Sequence, residues 1–227
     1  MDTEKKIELL AKYLEVEPSE IEQSDYDENT FEVAGDGEEY LVVDEDTARE
    51  LAEESVRNII DDLGISAFAP YFQNWILENA LDYDFEEALR ESMSSYIEDI
   101  ELENSNEFDN RLIKELVEAG ILDDEDFEID EDGEIDYFTL KDSVDLDGKK
   151  EEYLDKLVYD AGDPQQWYID NFGIDSVKDL VNDGYATLDE NKIASEVIAE
   201  DGVAWQLASY DGEEIDLGED MFAYRTN

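Results

Sequence analysis

The 227 residues include no cysteine and no histidine. Without cysteine there are no disulfides and no thiolate chemistry. Without histidine the usual general base and the commonest metal ligand are missing. No apolar run is long enough to span a membrane. The opening segment, MDTEKKIELLAKYLEV, lacks the apolar centre of a signal peptide, so a soluble, cytoplasmic protein is expected. The deepest shortage is of positive charge. Lysine and arginine number 15 against 69 aspartates and glutamates, a formal net charge of −54. Anionic membranes and nucleic acids repel such a chain, and its natural partner is a basic surface.

What is present argues against a disordered acidic tail. The chain is 41% apolar and 11% aromatic, with only three prolines. A disordered, solvating chain has few aromatic residues. There is enough apolar material here for a sizeable core, in one large domain or two small ones.

The charge is densest in DDEDFEIDEDGEID, Asp123 to Asp136, where ten of fourteen residues are carboxylates. Phe127, Ile129, Ile135 and Tyr137 alternate with acids around Asp132-Gly133, which predicts a hairpin. The same stretch partly matches a calcium loop. Glu128, Asp130 and Asp132 fall at loop positions one, three and five, with Gly133 at six. The twelfth position needs a bidentate glutamate and holds Thr139, and the preceding segment reads as a strand. SVDLDGKKEEYL lacks the acids at both ends of the motif. No metal site and no cofactor are expected, beyond unspecific cation condensation.

Elsewhere, apolar spacing predicts a short helix over Thr3–Leu14. A hairpin follows in TFEVAGDGEEYLVV, turning at Gly35-Asp36-Gly37. A long helix capped by Asp44 carries Ala48, Leu51, Ala52, Val56, Ile59, Ile60 and Leu63 on its apolar side. A second long helix starts at Asp84, with Glu87 as a capping-box-like partner. A shorter helix, PYFQNWILENAL, lies between them. Further helices are predicted near 109–119, 150–161, 164–171, 174–181 and 189–199. The C-terminal segment VAWQLASYDGEEIDLGEDMFAYRTN reads as two strands joined by a turn. Tyr71, Phe72 and Trp75, and likewise Trp167, Tyr168 and Phe172, have core spacing. The fold class is α+β, mostly helical with two or three small hairpins and a highly acidic surface. The boundary is expected at 142–150, giving domains 1–141 and 142–227 or one continuous elongated domain.

Catalysis finds no support. Paired carboxylates can perform acid–base or glycosidase chemistry, but with 69 acids some pair falls at any chosen spacing. There is no Gly-rich phosphate loop, no G-x-S-x-G and no nucleophile with an evident base. No enzymatic activity is expected.

The charge itself is the signal. A compact chain of this mass exposes roughly 10,500 Å². Spread evenly, the net charge then amounts to one per roughly 200 Å². B-DNA carries one charge per about 1.7 Å of axis, or one per roughly 110 Å² of a cylinder about 20 Å across. Solubility alone is served by a net charge below about ten in magnitude. This composition and architecture resemble the DNA-mimic proteins of phages and mobile elements, such as the Ocr and ArdA antirestriction proteins. A more local resemblance joins EEYLVVDEDTARELAEESVRNII and the ending DGVAWQLASYDGEE…FAYRTN to acidic phage proteins of unassigned activity. Val203, Ala204 and Trp205 depart from the pattern of that ending.

The resemblance implies an inhibitor that fills the basic DNA-binding cleft of a host protein in the host cytoplasm. That target would be a restriction or CRISPR nuclease, another defence complex or a nucleoid protein. Direct nucleic-acid or membrane binding is not implied, and a homodimer is the usual way to lengthen a DNA-like surface. The candidate phosphate substitutes on the first long helix are Glu50, Glu53, Glu54 and Asp61. On the second they are Glu98, Asp99, Glu101 and Glu103. In the acidic run they are Asp123, Asp124, Glu125, Asp126, Glu128 and Asp130, followed by Glu131, Asp132, Glu134 and Asp136. The competing readings are a halophile's protein, acidic for solvation in concentrated salt, and an acidic chaperone or adaptor for basic clients.

Overall fold

The computed structural model describes residues 1–35, 37–103, 111–130 and 132–227, the side chains of residues 102, 103 and 138 excepted. Among the described residues the fold is α+β, 58% helical with ten helices and 16% strand in small antiparallel sheets. In chain order it begins with α1 (Thr3–Leu14), β1 (Ile21–Gln23), β2 (Thr30–Val33) and β3 (Glu39–Asp44). These are followed by α2 (Glu45–Leu63), α3 (Pro70–Asn79) and β4 (Leu81–Asp82). Then come α4 (Phe85–Glu103), α5 (Arg111–Glu118), β5 (Phe127–Ile129), β6 (Ile135–Leu140), α6 (Leu146–Ala161) and α7 (Pro164–Phe172). The chain closes with α8 (Ser176–Asn182), β7 (Thr187–Leu188), α9 (Glu190–Asp201), α10 (Val203–Leu207), β8 (Glu214–Gly218) and β9 (Met221–Arg225).

Two compact units result. Met1–Asp82 and Val177–Asn227 make the first, and Tyr83–Ser176 makes the second. The expected boundary at 141/142 falls inside the second unit, between β6 and α6. The division follows from one long-range pairing. Strand β9, at the C-terminus, lies antiparallel to β3, with Val42 opposite Ala223 and Asp44 opposite Met221. The N-terminal and C-terminal hairpins thereby join in one sheet of order β1-β2-β3-β9-β8.

Alternation fixes the two faces of that sheet, because successive side chains point opposite ways. Phe31, Val33, Tyr40, Val42, Met221 and Ala223 share a buried cluster with Leu9, Leu10 and Ala11 of α1. Leu41, Val43 and Tyr224, on the other face, are also buried. Helix α2 contacts β3 and β9, and its buried stripe is Ala48, Ala52, Val56 and Ile60 at four-residue spacing. Helix α9 packs on α2 and buries Ile193, Ala194, Val197 and Ile198.

The second unit has its own core. Ile97 and Ile100 of α4 meet Leu112, Ile113 and Leu116 of α5, Phe127 of β5, and Tyr153 and Leu154 of α6.

Two local expectations are revised. Val203–Leu207 is a short helix, not a strand; it begins straight after Gly202, whose positive φ closes α9. Tyr71 and Phe172 are exposed, whereas Phe72 and Tyr168 are buried. Neighbours on a helix point about 100° apart, so a run of adjacent aromatics cannot all face inward. Strands β4 and β7 pair through Leu81 and Leu188 across the inserted unit, a contact with no local signature.

The Asp44 cap forms as expected, its Oδ1 accepting from the Thr47 amide at 2.9 Å. Hydrogen bonds from Thr47 hold this carboxyl below its ordinary range. Asp44→Ala is expected to lower stability by about 1 kcal/mol at neutral pH. A depressed carboxyl stabilises above its unfolded value and loses that contribution as pH falls through the folded one. Urea unfolding of both proteins should therefore diverge at pH 7 and converge in acid. An equal gap at both pH values would contradict this role.

Candidate partner-binding surface

The acidic run is a folded hairpin. Its apolar residues anchor it: Phe127 is fully buried, and the Tyr137 ring meets it edge-on at 5.2 Å. Several acids build the turns. Asp123 and Asp126 form a reciprocal capping box around a 3-10 turn at Asp124–Asp126. The Oδ1 atom of Asp130 accepts from the amides of Asp132 and Glu134, both at 2.9 Å. Gly133 takes the positive φ of the turn between β5 and β6. Asp124 accepts from the Tyr137 hydroxyl at 2.8 Å, and Asp136 from the Thr139 hydroxyl at 2.7 Å.

Glu125, Glu128, Asp132 and Glu134 are exposed. Glu128 stands directly opposite Asp136 across the strands. Like charges so placed destabilise a sheet. Among the described residues no cluster of three or more acidic side chains is arranged to hold a metal ion. Glu131 lies outside the described residues, as does the side chain of Glu103.

The other expected acids divide between the units. On α2, in the first unit, Glu50, Glu54 and Asp61 are exposed. Glu53 is half-buried and held by Arg49 at 3.2 Å and Arg57 at 3.8 Å. On α4, in the second unit, Glu98, Asp99 and Glu101 are exposed, but Glu101 accepts from Lys150 Nζ at 2.7 Å. Glu53 and Glu101 are thus neutralised locally.

Sequence reading missed a second acidic row, in the first unit. Glu22 lies opposite Glu32, and Glu32 opposite Glu39. Neighbouring strands sit about 4.8 Å apart, so three carboxylates cross the sheet at one level. Each alternates with buried residues such as Ile21, Phe31 and Tyr40. The signal was present as period-two alternation, but the register that aligns the three was not.

Most of the scarce cations are engaged within the fold. Arg90 binds Glu151 and, at 2.7 Å, Asp155. Lys178 donates to the carbonyls of Asp61 and Asp62 at the end of α2, and Lys192 to the carbonyl of Asn79 at the end of α3. Cations at helix C-termini complement the helix dipole. Lys6, buried against Asn29 at 2.6 Å, is the one buried charged side chain among the described residues. The carboxylates left over face water.

Comparison with known proteins finds no family model, curated protein or solved structure that matches the chain. Among the described residues no helix is long and apolar enough to cross a membrane.

The total exposed surface is 14,202 Å², and dividing by 54 net charges gives roughly 260 Å² for each. That is more dilute than the sequence-based figure. The average surface therefore falls short of DNA, and a DNA-like density has to be local.

Carboxylates also reach inward, to tyrosines. Tyr40 donates to Glu38 at 2.9 Å, and burial, reinforced by that bond, pushes its phenol up to about 12. Burial and bonds to Glu115 and Glu214 likewise raise Tyr153 and Tyr224. An unfolded tyrosine titrates near pH 10. Above that the unfolded chain loses protons that the fold retains, so this stability is complete below pH 10 and is lost toward pH 12. Urea midpoints should fall across that window, and less steeply in Tyr40→Phe. Equal slopes in the two proteins would remove Tyr40 from the account.

Proposed function

We propose that the protein is a DNA mimic, an inhibitor that occupies the basic DNA-binding cleft of a host DNA-binding or defence protein. Its carboxylates take the place of phosphates, and no catalytic residue is required. The observation that carries this reading is the like-charge pairing across strands, Glu22–Glu32–Glu39 and Glu128–Asp136. A chain acidic only for solubility gains nothing from carboxylates set directly opposite one another, where they oppose folding. Kept side by side, they raise the local charge density toward that of a duplex. Association then gains from release of the partner's counterions and weakens steeply with salt. The resemblance in kind to the antirestriction mimics supports the same reading.

The experiment is capture from nuclease-treated bacterial lysate, with elution by a salt gradient and then by duplex DNA. One DNA-processing protein released by DNA at moderate salt is the expected result. Many basic proteins leaving together at low salt would favour a general chaperone instead. A protein that binds nothing and folds only in molar salt would mark the acidity as an adaptation to solvent.

A further inference from the structure

We infer that the first unit also carries a docking groove for a basic amphipathic helix of a protein partner, a feature independent of phosphate mimicry. Two cavities adjoin there, sharing Ile59 of α2 and Gln206 of α10. The larger, of about 600 Å³, has an apolar floor that includes Leu41, Leu51 and Leu207, with Asp27, Glu54 and Asp62 also lining it. The smaller, of about 240 Å³, is lined by Phe68, Tyr71 and Trp205 together with Glu200 and Asp201.

Three observations select the occupant. First, large apolar side chains along the groove are left in water: Leu63 is 63% exposed, Tyr71 67% and Trp205 69%. Exposed Trp and Tyr beside a pocket are the residue types that anchor interfaces. Second, five carboxylates line the two cavities and no lysine or arginine does. The nearby cations are engaged elsewhere, Arg57 with Glu53 and Asn191 and Lys178 with the α2 carbonyls. Third, the span of α2 from Leu51 to Leu63 is about 18 Å at 1.5 Å per residue, which suits a partner helix of about three turns.

Such a helix lays its apolar side along the floor through residues at i, i+3, i+4 and i+7. Its flanking Lys and Arg meet Asp27, Glu54 and Asp62 in the larger cavity. In the smaller, an Arg can stack on Trp205 or Tyr71 while pairing with Glu200 or Asp201. A second copy of the chain, itself at −54, is disfavoured by repulsion, and so is an anionic membrane. Phosphate mimicry selects charge, whereas this groove selects apolar spacing together with charge.

The probe is a synthetic basic amphipathic peptide of about 18 residues with Leu at helical spacing. It is compared by fluorescence anisotropy with a scrambled peptide of the same composition, both against the full chain. The amphipathic peptide is expected to bind at least about tenfold tighter. Tyr71→Ala combined with Trp205→Ala should remove that preference, and Leu63→Ser should reduce it. These three side chains are exposed, and circular dichroism checks that each variant stays folded. Replacing Glu128, Asp132 and Glu134, in the other unit, should leave the preference intact. Equal binding of the two peptides, or a double variant that keeps the preference, overturns the groove. So does sedimentation showing a dimer that Trp205→Ala dissociates, since a second copy would then be the occupant. Displacement of DNA from a captured target is a separate readout, so failure of the groove and failure of the mimic reading remain distinguishable.

Discussion

Replacing Glu125, Glu128, Asp132 and Glu134 together by lysine is expected to stabilise the fold and to weaken partner binding by about thirtyfold or more. The stabilising part follows from the register. Glu128→Lys turns a like-charge pair with Asp136 into an opposite-charge pair, a change of about 0.5–1 kcal/mol. The turns of this hairpin are held by the carboxylates of Asp123, Asp126 and Asp130, none of which is replaced. The weakening follows from charge. Four lysines facing a basic cleft replace attraction by repulsion, and like-charge juxtaposition costs several kcal/mol. About 2 kcal/mol already corresponds to thirtyfold. Each single substitution should change binding much less, because exposed charges contribute individually little. The checks are urea unfolding and titration against the captured target. A variant that is more stable and binds as before would place the contact surface elsewhere.

The second large effect concerns the hairpin's anchor. Phe127 is fully buried and belongs to the core shared by α4, α5 and α6. Phe127→Ala should destabilise the second unit by about 3–5 kcal/mol through lost burial and the cavity left behind. Because each unit has its own core, hydrogen exchange should accelerate at amides within Tyr83–Ser176 and change little in the β1–β3 and β8–β9 strands. Phe31→Ala, in the core of the first unit, should show the reverse pattern. Uniform acceleration across the chain in either variant would mean that the units do not open separately. Loss of the hairpin should also weaken binding, which separates the fold of the run from its mere composition.

Much of the local structure was legible in the residues. The helix over Thr3–Leu14, the Asp44 cap and the hairpin around Asp132-Gly133 all follow from periodicity, capping and turn chemistry, which act within a few residues. The largest failure has a non-local origin. Strand pairing between β3 and β9 joins residues more than 170 positions apart, and nothing local reports it. It moved the division of the chain from residue 142 to the two junctions near 82 and 177. It also left the Val203–Leu207 helix beside α2, where Trp205 lines a groove instead of a sheet.

The acidic surface was half legible for a related reason. Exposure follows from composition, since no carboxylate among the described residues is buried. Partnership does not. Whether Glu53 and Glu101 stay free depended on Arg49, Arg57 and Lys150. Whether Glu22, Glu32 and Glu39 align depended on register.

The most direct measurement is displacement of labelled duplex DNA from the captured target, followed by fluorescence anisotropy over a range of salt. Mimicry predicts complete displacement, saturating at a fixed stoichiometry, with a midpoint that changes little with salt because binding of the protein and of DNA weaken together. A ternary complex, in which the acidic protein binds while the DNA stays in place, would contradict it.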